Sequence, residues 1–196
     1  MFNNPSFFRA YCLFPFSGKV NPEQACSFTH KSPHFRGKKI KAKKERKHMS
    51  FNYEEDFNRI NFREKPEKYR VGRGEQGVLM VEPYKSEILP YWRFKTPDIA
   101  RESSGQIYEL FLEYKKQKDF VGMDMARKFL QMGYTRSRRY ANYKGGKKYD
   151  KDGNVNERQI NEEKAESARI FEEKWIKARE DETYLSWKKD HQQKYG

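Results

Sequence analysis

Thr96-Pro97-Asp98-Ile99-Ala100-Arg101-Glu102-Ser103-Ser104 carries the marks of a helix start in order. Thr96 has a hydroxyl to cap the first free amides. Pro97 suits the first turn, and Asp98 complements the positive end of the helix dipole. Downstream, Ile99, Ser103, Ile107, Leu110, Phe111 and Tyr114 fall on one face at helical spacing. A second helix begins near Asp119 and ends at Gly133, with Phe120, Met123, Ala126, Phe129 and Leu130 facing inward. The short break between the two implies an antiparallel pair.

Outward from this pair the pattern changes. Tyr69-Arg70-Val71 and Val78-Leu79-Met80-Val81 read as two short strands, with Gly72, Gly74 and Gly77 between them, so a β-hairpin with an exposed glycine loop is expected. Tyr91-Trp92-Arg93-Phe94 reads as a core corner that buries Trp92 and Phe94; the competing reading is a stacking platform. On the other side, Thr135 caps a short third helix that Gly145-Gly146 ends, and Asp152-Gly153-Asn154 makes a turn. From about Asn156 to Lys189 the chain reads as one long charged helix. Its apolar stripe of Ile160, Ala168, Phe171, Trp175, Ala178 and Leu185 is narrow and suits contact along one face only. The expected fold is therefore α+β and mostly helical. It comprises an antiparallel helix pair, a short basic helix, a small β-hairpin and a long C-terminal helix.

Length and charge set the domain plan. The chain has 196 residues and a net charge of +14, with 35% hydrophobic and 36% charged residues, so its core must be small. Aromatics at 16% partly compensate, because each ring buries a large area. Residues 1–48 contribute +9 of that charge and end in the run Lys38 to His48, a composition that stays solvated. They read as a disordered basic leader, with Met49 as the native start; a targeting presequence is the less favoured alternative. One globular domain is expected over residues 49–155, followed by the charged helix and tail over 156–196. Both cysteines, Cys12 and Cys26, lie in the leader, which suits a reducing, cytoplasmic setting. No apolar run is long enough to span a membrane.

The sharpest functional signal lies between Arg127 and Tyr149. Eight basic residues occur there with no acid, and five aromatics are threaded through them. Such a mixture suits a polyanion whose phosphates need cations and whose bases can stack. The candidate nucleic-acid-binding residues are Arg127, Arg136, Arg138, Arg139, Tyr140, Tyr143, Lys144, Lys147 and Lys148. Arg136, Arg139, Tyr140 and Tyr143 share a helical face. A structural role would instead bridge these arginines to Glu162, Glu166 or Glu173.

Other motifs carry less. Gly72-Arg73-Gly74-Glu75-Gln76-Gly77 has the spacing of a dinucleotide loop, but a strand-like run follows it where that loop needs a helix. Lys144-Gly145-Gly146-Lys147-Lys148 lacks P-loop spacing, though its amides and lysines could meet a phosphate. His30, His34 and His48 lie in the leader and His191 near the carboxyl end, so no Ser-His-Asp or Cys-His arrangement forms in the expected core. Glu82 and Glu87 could hold Mg²⁺ beside Lys85, but two glutamates at this spacing more often form a solvated face. No catalytic residue, metal ligand or cofactor is assigned.

Tyr91 to Ser104, Asp119 to Phe129, and Arg138 to Tyr149 together resemble the domain-of-unknown-function family 4385, found in bacteria, tailed phages, large algal viruses and fungi. The resemblance spans roughly residues 49–150 and fits Met49 as the start. It implies no activity, cofactor or catalytic residue. Its occurrence in DNA viruses fits a nucleic-acid role by association alone.

Three functions follow in order. The first is a nucleic-acid-binding accessory protein, DNA or RNA unresolved; whether the chain is an enzyme stays open, with a non-enzymatic role favoured. The second is a protein-interaction module whose long C-terminal helix docks on a partner through Phe171 and Trp175. The third is a metal-dependent phosphodiester hydrolase.

Overall fold

The computed structural model describes residues 57–196. The expectations placed on the leader and on Met49 lie outside that range. Five helices organise the described residues: α1 (Tyr84–Ile88), α2 (Pro97–Lys116), α3 (Phe120–Asn142), α4 (Glu162–Arg179) and α5 (Glu182–Tyr195). Short 3-10 turns at Phe57–Arg59, Pro66–Lys68, Leu89–Tyr91 and Lys144–Gly146 fill the connections.

The helix pair forms as its caps dictate. Thr96 Oγ1 accepts the Ile99 amide at 3.3 Å, and Asp119 Oδ1 accepts the Gly122 amide at 3.0 Å. Between the helices, Lys118 takes a left-handed φ of 59°, and the Asp119 amide reaches back to the Tyr114 carbonyl at 2.9 Å. That geometry turns the chain within three residues.

The long helix α3 is the axis of the fold. Every residue from Phe120 to Leu130 is buried, so this half of the helix has no solvent face. α2 and α4 pack on α3 and on each other. Two glycines of α3 set these approaches. A Cβ at Gly122 would lie 2.6–2.9 Å from ring atoms of Tyr114 on α2, and one at Gly133 would overlap ring atoms of Phe171 on α4. Phe62, Tyr69, Val81, Tyr84, Ile88, Ile107, Phe111, Phe129 and Phe171 are fully buried around this axis.

Three expectations are corrected. The fold is all-helical among the described residues, not α+β, because the β-hairpin is absent. Residues 72–80 instead coil through successive turns: Gln76 bonds Arg73, Val78 bonds Glu75, and Met80 bonds Gly77, each backbone N–H to carbonyl. The apolar run is divided, with Val78 and Val81 buried and Leu79 48% exposed, which is the pattern of a turn and not of a ladder. Gly74 and Gly77 supply the positive φ, 62° and 77°, that the coil needs.

The short basic helix is the second correction. It is the last part of α3, which continues through Thr135 without a break. The Thr135 hydroxyl donates 2.5 Å to Glu75 and also approaches the Met132 carbonyl, so it ties α3 to the glycine loop instead of capping a new helix.

The long C-terminal helix is the third. Residues 143–161 form a loop held by isolated antiparallel bridges, Tyr143 to Arg158 and Tyr149 to Val155. After it, Asn161 caps α4 at 3.0 Å, and Asp181 stops the helical run and caps α5 through the Tyr184 amide at 2.9 Å. Asp181 also pairs with Lys115 of α2 at 2.6 Å, which fixes the corner between α4 and α5. Trp92 and Phe94 form a partly buried corner, with rings 5.0 Å apart and Trp92 against Phe129.

Candidate nucleic-acid interface

The basic block divides into two populations. Arg127 and Lys128 are buried in the middle of α3. Asp124, one helical turn before them and itself fully buried, receives both charges. Arg127 Nε donates to Asp124 Oδ1 at 2.9 Å, and Lys128 Nζ lies 3.5 Å from Oδ2. Tyr69 donates its hydroxyl to Asp124 Oδ2, and Tyr184 of α5 donates to Oδ1 at 2.7 Å. Burial alone would raise the Asp124 pKa. The charges of Arg127 and Lys128, with the two phenols, outweigh it and hold the carboxyl well below its ordinary range. Burial beside this carboxylate pushes both phenols up, so they stay donors.

The remaining donors of the two cations face the glycine loop. Arg127 Nη2 reaches the Gly74 carbonyl at 3.3 Å, and Lys128 Nζ reaches the Gln76 carbonyl at 2.8 Å. These bonds satisfy carbonyls that a hairpin ladder would have paired. Arg127, a candidate for phosphate contact, is thus structural in position: it links α3 to the loop.

The second population is exposed. Arg136, Arg138, Arg139, Lys144, Lys147 and Lys148 all lie at the surface. No carboxylate among the described residues forms an ion pair with any of them. Glu166 pairs with Arg169 on its own helix at 2.5 Å instead. Arg138 donates to the Tyr134 hydroxyl at 2.5 Å and lies over that ring. This bond, with a smaller pull from the Glu172 charge on α4, raises the Arg138 pKa, so the guanidinium stays charged at the surface.

The turn after α3 folds back onto the helix. Gly145 and Gly146 adopt left-handed φ of 64° and 69°, and a Cβ on Gly146 would meet the Tyr140 ring at 2.9–3.1 Å. Tyr140 also packs against Phe94, centroids 5.9 Å apart, and keeps 38% of its surface exposed. It therefore supports the surface from beneath. Tyr143 is partly buried and bridges to Arg158, whose guanidinium donates to Asn142 Oδ1 at 3.0 Å. Arg158 thus joins the basic face from a distant stretch. Its sequence neighbours Glu157 and Gln159 give no local signal of this.

The other candidates are occupied. Glu87 accepts two hydrogen bonds from Arg63, at 2.9 and 2.7 Å, and one from Tyr114 at 2.7 Å. Glu82 pairs with Lys85 and accepts the Ser86 amide. Among the described residues no group of three His, Cys, Asp or Glu is arranged to hold a metal ion. His191 is buried, with Nε2 2.9 Å from the Tyr69 carbonyl and its ring against Phe120 and Tyr195. Phe171 is fully buried against Gly133, and Trp175 stacks on Tyr134 at 5.5 Å, so both anchors expected to dock on a partner face this domain. No helix among the described residues is long and apolar enough to cross a membrane.

No curated protein and no solved structure matches the chain. The family model described as domain of unknown function DUF4385 matches residues 52–194, and the chain belongs to that family.

Proposed function

We propose that this member of the DUF4385 family is a nucleic-acid-binding accessory protein, with Arg136, Arg138, Arg139, Lys144, Lys147 and Lys148 on the phosphates. One observation carries the reading. Six cations sit exposed at the end of α3 and in the turn that folds onto it, with no carboxylate paired to any of them among the described residues. An unpaired basic surface gains free energy by displacing counterions from a polyphosphate backbone. Arginines already bridged to acids would gain far less.

The aromatic residues take a supporting part. Tyr140 is packed on Phe94 and beneath Gly146, so its free area is the edge of a platform and not an open face. The interface therefore reads phosphates more than bases. It should show little preference among duplex DNA, single-stranded DNA and RNA of equal charge density.

The test is a fluorescence anisotropy titration of the whole chain, and of a version beginning at Met49, against all three nucleic acids at two salt concentrations. Affinity should fall steeply with salt in the shorter version too. If binding vanishes when residues 1–48 are removed, the leader's +9 explains it and the folded domain is not the binder.

A further inference from the structure

The glycine loop, the middle of α3, the end of α4 and α5 surround a cleft of about 550 Å³ that lies outside the face just described. Four cations line it, Arg73, Arg127, Arg179 and Lys188, and no carboxylate is among the lining residues. A cleft of about 500 Å³ against α2 makes the contrast, since Glu109 and Glu113 there face Lys116.

Each cation is held in a way that leaves capacity for a ligand. Arg127 is nine-tenths buried; its bonds to Asp124, Gln131 and Gly74, with a second approach of Nη2 to Asp124 Oδ1 at 2.9 Å, engage four of five N–H donors and leave one on Nη1. Arg73 is exposed, and its side chain has no partner among the described residues. Its backbone amide is pinned by Gln76 Oε1 at 2.9 Å, which fixes where the side chain starts. Lys188 lies 5.8 Å over the Tyr184 ring and pairs with no acid among the described residues. Arg179 sits 4.8 Å over Trp175, and its one acidic partner is its neighbour Glu180. The amides of Gly72 and Gly74 donate to no partner among the described residues either.

Arg127 is paired with Asp124 and Arg179 with Glu180, while Arg73 and Lys188 have no acidic partner among the described residues, so the recess keeps an excess of positive charge that a compact anion would neutralise. The size suits a small ligand. The rings argue against a base-stacking slot: Trp175 is engaged by Tyr134 and Arg179, and Tyr184 is buried with its hydroxyl on Asp124. We propose that this cleft binds a diphosphate or triphosphate group, taken by Arg73, Arg179 and Lys188 with Arg127 at its inner wall. Free polyphosphate and a nucleotide both carry such a group, and the cleft recognises the phosphates they share.

The test is calorimetric titration of the full chain, in magnesium-free buffer, with orthophosphate, pyrophosphate, tripolyphosphate and ATP. Pyrophosphate and tripolyphosphate should bind saturably and tighter than orthophosphate. The R73A/K188A variant should weaken both at least tenfold, while R101A/K116A, which removes two exposed cations of α2 outside both basic sites, leaves them unchanged. ATP binding no tighter than tripolyphosphate would identify the bare phosphates as the ligand; tighter ATP binding would identify a nucleotide. Absence of saturation, equal binding by R73A/K188A, or a matching loss of binding in R101A/K116A overturns the proposal. Should K188A melt at a lower temperature, R73A alone carries the test by the same criterion, because Arg73 is exposed and its side chain bonds to nothing among the described residues. The nucleic-acid reading is judged separately, by the response of the R138A/R139A variant to DNA and RNA.

Discussion

The two halves of α3 contain the same kinds of residue and treat them in opposite ways. From Phe120 to Leu130 the helix is buried all round, and its two cations are locked onto Asp124. From Arg136 onward it carries three arginines on open surface with no acid paired to them among the described residues. The difference is a single carboxylate. Asp124 lies three and four residues before Arg127 and Lys128, the spacing at which helical side chains meet. No acid stands one turn before or after the second group. A basic run is therefore two things at once here: a buried clamp where an acid is in register, and an open surface where none is.

The largest test removes that acid. Asp124→Ala would leave Arg127 and Lys128 buried without a counter-charge, and should cost about 3–5 kcal/mol or abolish folding. Urea melts read the loss, and Asp124→Asn should fall between the parent and the alanine variant. A cost below about 1 kcal/mol would mean that the buried half needs no ion pair, which erases the contrast.

The boundary between the halves comes next. Gly133→Ala would drive a methyl into the ring of Phe171, and should cost about 1–3 kcal/mol as α4 is pushed off. Circular dichroism should show helicity kept while the melting temperature drops.

Acidity gives a third and smaller test. The depressed Asp124 pKa means its stabilisation is complete above the unfolded carboxylate value of about 4, and is lost as pH falls through the lower folded value. His191 acts at milder pH. Burial lowers its pKa, with Arg70 and Lys194 adding to the shift and the Tyr69 carbonyl and Asp124 opposing it. The unfolded chain then binds more protons, so stability declines as pH drops below about 6.5. Melts from pH 8 to pH 5 should show that decline, and His191→Phe should flatten it.

The smallest effect on stability belongs to the exposed half. Arg138→Ala with Arg139→Ala should change the melting temperature little. It should weaken nucleic-acid binding and lower the salt slope by about 2, one unit for each phosphate no longer neutralised. A large drop in stability with unchanged binding would reverse the assignment of the two halves.

Much of the helical skeleton is legible in the chain. Thr96 and Asp119 cap the helices their positions announce, and the residues of the pair read as inward are buried or half-buried. The hairpin expectation fails for a definable reason. A four-residue apolar run has too few positions to separate alternation from turns, and the deciding partners, Arg127 and Lys128, lie some fifty residues away. Thr135 reads as a cap because its hydroxyl could serve one; Glu75 uses it otherwise. Asp181 is one acid in a dense charged stretch, and only its ion pair with Lys115 distinguishes it as the corner. The exposed cations of the candidate site can be read locally. The cleft cannot, because Arg73, Arg179 and Lys188 meet only through the packing of α5.

The phenol of Tyr184 reaches Asp124 across 60 residues of chain, and His191 meets the Tyr69 carbonyl across 122. During synthesis, the axis helix emerges with its carboxylate and cations long before the last partner exists. A ribosome must deliver α5 before Asp124 has its second phenol and Tyr69 its imidazole. Until then the nascent chain carries an incomplete charged centre in an apolar setting, a state that favours continued opening over premature closure. Helix α5 works as a latch on the order of events: the Asp124 centre is completed only once α5 has been made, and not helix by helix along the way.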